Sequence, residues 1–169
     1  MNNWIALQSG RTFDYLSPTR TPLQIEDIAV SLSRQVRYVG HTTHAYTVAH
    51  HCCLVSDRVS KDNALWGLLH DAAEAVIGDI PKPFKSMMPA ITQYERMYLR
   101  CIAKWYDLPW PMPAEVKAAD EEVYWLERTS VSRNEAVTMP DGIERLFIDP
   151  WNEDKSYQEF MSRYERLNP

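Results

Sequence analysis

The chain has 169 residues, 45% hydrophobic and 24% charged, ordinary values for one globular domain. The formal net charge of −5 gives a field that repels a phosphate backbone and argues against nucleic acid as a partner. No apolar run approaches the ~20 residues of a membrane helix, and Met1-Asn2-Asn3-Trp4 lacks the basic patch and apolar stretch of a secretion signal. The expectation is a cytoplasmic protein with no membrane partner. Its three cysteines, Cys52, Cys53 and Cys101, have neither an even count nor CxxC spacing and are expected as packed, reduced thiols.

Residues 1–24 show no lasting periodicity and carry Pro18 and Pro22. They read as a loop or short hairpin wrapped on the core. From Ile25 the apolar residues Ile28, Ala29, Leu32 and Val36 recur at helical steps until Gly40. A second helix is expected over about 45–59 on the stripe Val48, Cys52, Val55 and Val59. A third is expected over about 64–77, capped by Asp62 or Asn63 and closed by Gly78. Asp79-Ile80-Pro81-Lys82-Pro83 must then be non-helical. Further helices are expected over about 90–106, 114–129 and 153–167, with a rigid loop at Pro109–Pro113 and a turn at Thr138–Gly142. Strand-like alternation, repeats and linkers are absent, so 1–169 reads as a single all-α domain.

Chemistry concentrates on the third predicted helix. His70, Asp71 and Glu74 stand beside Leu69, Ala72 and Ala73, and an apolar face does not ordinarily accept three ionisable groups. A divalent cation resolves that conflict; a solvated surface triad is the bland alternative. His51 lies on the second helix's apolar stripe, His44 joins it if that helix starts early, and His50 points away toward solvent. Each histidine alone is as readily a packed one with a backbone partner. Asp120 falls between Val116 and Val123 on the fifth core stripe, where a buried carboxylate needs a partner, either a metal or an ion pair with Arg34, Arg37 or Lys117. Nitrogen and oxygen donors without sulfur suit Mn, Co, Zn, Fe or Ni.

The run from His70 to Lys85, HDAAEAVIGDIPKPFK, resembles the H-D-x-x-E-x-x-x-G-D-[IL]-P-x-P-x-K signature of HD-domain metal-dependent phosphohydrolases. It is similar both to the bacterial 5′-deoxynucleotidase subgroup and to small phage enzymes that remove triphosphate from dATP. Agreement extends from about Ile25 through Arg37 and Val48-Ala49-His50-His51 to Val116–Asp120. The resemblance implies an HD-type helical bundle with the metal between core helices. It assigns His51, His70, Asp71 and Asp120 as metal ligands and Glu74 and Asp79 as the acid–base pair. Arg37, Lys85 and Lys117 match phosphate-contacting positions, with Arg34 an alternative to Arg37, and Pro83 belongs to the substrate loop. Tyr38 stands where the family often has a Trp that helps exclude the ribose 2′-hydroxyl. The implied cofactor is Co, Mn, Zn or Ni, with Mg expected at a second site.

The resemblance thus implies a hydrolase that cleaves dNTPs, dATP preferred, to deoxynucleoside and triphosphate. The alternatives are a 5′-nucleotidase acting on dNMPs and a non-catalytic nucleotide-binding domain. Tyr38 and Phe84 are candidates for base contact, the tryptophans read as core or loop anchors, and a homo-oligomer, a dimer or a ring of dimers, is expected. The implied setting is the cytoplasm of a bacterium or of a phage-infected host.

Overall fold

A computed structural model describes residues 2–132 and 147–168; the turn expected at Thr138–Gly142 lies outside them. Eight α-helices carry the described fold: α1 (Ile25–Arg34), α2 (Val48–Ser56), α3 (Ala64–Leu69), α4 (Glu74–Ile77), α5 (Lys82–Lys85), α6 (Pro89–Trp105), α7 (Ala114–Ser130) and α8 (Glu153–Leu167). The protein is all-α apart from one small hairpin, β1 (Trp4–Ala6) antiparallel to β2 (Thr12–Asp14). The hairpin docks through Phe13, which is fully buried beside Tyr98.

The core forms largely where the periodicity places it, except that α1 ends at Arg34 and leaves Val36 exposed beyond it. α1 buries Ile25, Ile28, Ala29 and Leu32 against α2 and α8. α7 buries Val116, Ala119, Val123 and Leu126 and packs on α2 and α3. Helix α2 is shorter than the sequence suggests because Thr47 caps it. The Thr47 hydroxyl accepts the His50 N–H at 3.1 Å, and such a cap fixes the first turn. Before it the chain is extended and tied back by Arg37 N–H to Tyr46 O at 2.8 Å, so His44 never joins the α2 stripe. Asn63 precedes α3 but its side chain makes no cap; its amide instead donates to Ser60 and Glu115.

The third predicted helix is broken in two. Between α3 and α4 the hydrogen bonds shorten to the three-residue type: Ala72 N–H to Leu69 O at 3.0 Å, Glu74 N–H to Asp71 O at 2.9 Å. That tightening stacks residues three apart on one line, which sets Glu74 above Asp71. Gly78 ends α4 with φ +85° and ψ 155°, a conformation open only to glycine. The free carbonyls of this short helix find side-chain donors, Ser31 Oγ to Ala75 O at 2.8 Å and Tyr15 OH to Val76 O at 2.6 Å. Exposed helix ends need such partners. Gln35, just past α1, grips both sides of the turn, donating to Glu74 O at 3.0 Å and accepting the Asp79 N–H at 2.9 Å.

Helices α2 and α3 touch backbone to backbone. A Cβ at Gly67 would lie 2.8 Å from the Ser56 Cα, so only glycine permits this approach, and it brings the His51 and His70 rings to 5.1 Å between centroids. Among the described residues no helix is long and apolar enough to cross a membrane.

Candidate metal centre

His51 on α2 and His70 after α3 are both buried, with their Nε2 atoms 3.2 Å apart. Each ring hands its Nδ1 to an acceptor. His51 Nδ1 is 2.6 Å from Glu127 Oε1 and His70 Nδ1 is 2.8 Å from Gly67 O. With both Nδ1 atoms donating, both Nε2 lone pairs point into one space, the tautomer that ligating histidines adopt. Two carboxylates close the same space. Asp71 Oδ2 lies 3.2 Å from His70 Nε2 and 3.5 Å from His51 Nε2, and Asp120 Oδ1 lies 3.1 Å from His51 Nε2. Four lone-pair donors converging so closely repel one another unless a proton or a cation sits among them. His51, His70 and Asp120 form a group that could hold a metal ion. The donor set fits a divalent transition metal.

A second group, Cys52, His70 and Asp71, also has ligand atoms within reach of one another. Burial pushes the Cys52 thiol up to about 11, which disfavours the thiolate that a sulfur ligand requires. Cys52, Cys53 and Cys101 are all free and buried.

Without an ion, protons do the neutralising. Burial opposes a charge on His70, but the Asp71 carboxylate beside it outweighs burial and raises its pKa well above the ordinary histidine value. Burial likewise opposes ionisation of Asp71 and Asp120, yet the neighbouring histidines hold both well below the usual carboxylate range. Glu74 and Asp79 move the other way. Burial raises both, and the charge of Asp71 adds to it. Glu74 is 4% exposed, and its Oε2 has no partner among the described residues; its Oε1 lies 3.8 Å from Lys85 Nζ.

The carboxylates of this cluster line a cavity of about 370 Å³, within the size range of small-molecule sites. Arg37, Tyr38, Asp71, Glu74, Asp79, Pro83, Lys85 and Asp120 all face it. Two expected substrate residues do not. Lys117 is exposed and absent from the cavity wall, because α7 buries Val116 and Ala119 and turns Lys117 outward. Phe84 is 54% exposed on α5 and also lies off the cavity. Arg34 is no alternative to Arg37, since its Nε donates to Glu153 on the surface at 2.6 Å. His50 is buried rather than solvated, stacked on Trp151 at 3.7 Å.

Sequence reasoning missed Glu127. It is fully buried and takes hydrogen bonds from Arg37 Nη2 at 3.0 Å, Tyr38 OH at 2.5 Å and Tyr46 OH at 2.8 Å, besides its contact with His51. Although burial opposes its charge, Arg37 and His51 hold its pKa down at about 2. Its signal was present: it follows Asp120 by two helical turns on the same stripe of α7. His41, Lys82, Tyr124 and Arg128 also line the cavity unforeseen. The left-handed Tyr38 and Val39, with φ of 57° and 54°, aim Arg37 and Tyr38 inward; non-glycine residues rarely sit there, and such strain gathers at functional sites.

A mainly α-helical protein with two converging buried histidines beside a cavity lined by several carboxylates is the class that the fold and site define. No family model matches the chain. It is 34% identical over 171 aligned positions to the uncharacterized protein YfdR of Escherichia coli (strain K12), covering 98% of this chain and 96% of that protein. It is also 35% identical over 126 positions to an uncharacterized protein of Rhodobacter capsulatus, RCAP_rcc00048, covering 69% of this chain and 64% of that one. The chain belongs to the YfdR family.

Proposed function

We propose that the protein is an HD-type metal-dependent phosphohydrolase acting on deoxynucleotides, with a dNTP, dATP preferred, as substrate and deoxynucleoside and triphosphate as products. The observation that carries this is the convergence of the His51 and His70 Nε2 atoms with Asp71 and Asp120, with the buried Glu74 Oε2 that has no partner among the described residues. His51, His70, Asp71 and Asp120 would hold Co, Mn, Zn or Ni, with Mg at a second site. When bound, the metal supplies Lewis-acid polarisation of a phosphoryl oxygen and acidifies water.

The chain's own groups supply the rest. Glu74, a carboxyl of raised pKa, accepts a hydrogen from the attacking water, and its raised pKa makes it the stronger base. Water oxygen bonds to the α-phosphorus as the bond from phosphorus to the 5′-oxygen breaks. Asp79, whose pKa is raised by burial, delivers a proton to that 5′-oxygen, so the nucleoside leaves neutral. Arg37 and Lys85 face the cavity as counter-charges. Tyr38, held by Glu127, walls the cavity where a ribose 2′-hydroxyl would enter. Buried free thiols accord with a cytoplasmic setting in a bacterium or phage-infected host. Exposed Phe84 and Met87 accord with a homo-oligomer.

The outward Lys117 favours a second reading, a 5′-nucleotidase for dNMPs, because one cation expected for the outer phosphates is off the cavity. Incubation with dATP or dAMP and Co²⁺ or Mn²⁺, followed by ³¹P NMR, separates the two. Tripolyphosphate from dATP with dAMP untouched supports the triphosphohydrolase. Orthophosphate from dAMP alone supports the nucleotidase, and no reaction of either sinks both.

A further inference from the structure

The described residues place four long cationic side chains on the cavity wall, in two different settings. Arg37 and Lys85 each already hold a close acid of the chain. Arg37 Nη2 is 3.0 Å from Glu127 and its Nη1 is 3.6 Å from Asp71, while Lys85 Nζ is 2.7 Å from Glu95. Lys82 and Arg128 are held more loosely. The Lys82 side chain is 68% exposed, and its nearest acid is Asp120 at 3.6 Å. Arg128 Nε is buried without a partner among the described residues, and its Nη1 reaches the Tyr124 hydroxyl only at 3.4 Å. Both cations sit over the Tyr124 ring, Lys82 Nζ at 5.2 Å and Arg128 Cζ at 5.8 Å from its centroid. An aromatic face steadies cations without cancelling their charge.

Charge with unused donors beside the Asp120 end of the cavity calls for an anion there. Lys82 and Arg128 stand with Asp120 and Tyr124 on the wall of the cavity that Glu74 and Asp79 also line, so a chain of phosphates reaching from those carboxylates to Tyr124 would meet both cations. We infer that Lys82 and Arg128, steadied by Tyr124, form a polyphosphate subsite that takes the outer phosphates of a nucleoside triphosphate. This rests on the phosphohydrolase reading and fixes its substrate class. It also supplies the cations that Lys117, facing outward, does not.

The test is binding of inorganic tripolyphosphate and of orthophosphate to the intact protein with Mn²⁺, measured by calorimetry, beside Lys82→Ala and Arg128→Gln. Circular dichroism melts confirm that each variant folds, and exposed Lys82 is the safer substitution. Each substitution removes a charged hydrogen bond and is expected to weaken tripolyphosphate about tenfold, with a several-fold smaller effect on orthophosphate. Wild-type protein that ignores tripolyphosphate, or variants that bind it as the parent does, would overturn the subsite. Because the readout is binding, a protein that hydrolyses neither dATP nor dAMP would remove the catalytic reading and still leave this result decisive.

Discussion

Glu127 concentrates the residue-scale physics of this protein. A fully buried carboxylate is costly unless charge and hydrogen bonds surround it, and Arg37, Tyr38, Tyr46 and His51 do so here. Its grip on His51 Nδ1 fixes the ring's orientation and keeps Nε2 free as a lone pair. Glu127→Gln should preserve shape but weaken Mn²⁺ or Co²⁺ binding by about 10–100-fold, read by titration calorimetry against the parent. Asp79 yields a prediction of opposite character. Its folded pKa is raised, so between the unfolded value of about 3.9 and the folded one the native state binds more protons, and stability falls as pH rises through that window. Asp79→Asn should therefore melt higher than the parent at neutral pH in the absence of metal, with the difference closing below pH ~4; on the proposed function it should also lose hydrolysis. Equal melting temperatures at pH 7 would contradict the burial argument.

At the scale of elements, the centre depends on how closely α2 and α3 approach. Gly67 allows it, since a Cβ there would be 2.8 Å from Ser56 Cα and 3.2 Å from the Val59 side chain. The nearer contact is with backbone, so the helices themselves must part. Gly67→Ala should destabilise the fold by about 1–3 kcal/mol in urea titrations and also lower metal affinity, because His51 and His70 ride on the two helices that separate. Loss of stability with unchanged affinity would show that the histidines do not depend on that spacing. The same scale explains Asp79. The Gly78 turn and the Gln35 side chain aim it back at the cavity, work that no regular helix could do.

Across the whole molecule, an ion held by His51, His70, Asp71 and Asp120 would replace the protons that neutralise them and would couple its binding to folding. Saturating Mn²⁺ or Co²⁺ at about 100 times Kd should stabilise the protein by about 2.7 kcal/mol, seen as a raised Tm that EDTA reverses. An unchanged Tm at every concentration would argue that protons alone occupy the centre. The coupling should be strong because the ligands come from α2, the α3–α4 link and α7, segments that only the folded core holds together.

Periodicity was enough to place the helices near 25, 90–106, 114–129 and 153–167, although only the stripes of α1 and α7 are buried along their length, while Tyr94 and Met97 of the 90–106 stripe are exposed. His51, His70, Asp71 and Asp120 were legible as candidates because ionisable residues stood on such stripes, a local conflict that any reader of the chain can see. The break between α3 and α4, the early cap at Thr47 and the burial of His50 against Trp151 were not legible. Each depends on a partner distant in sequence or on a choice between nearly equal hydrogen-bond patterns. The tertiary structure alone decided which cations face the cavity, turning Lys117 out and Lys82 and Arg128 in. It also made Glu127 the anchor of the centre, because the worth of a buried charge is set by the groups that packing brings around it.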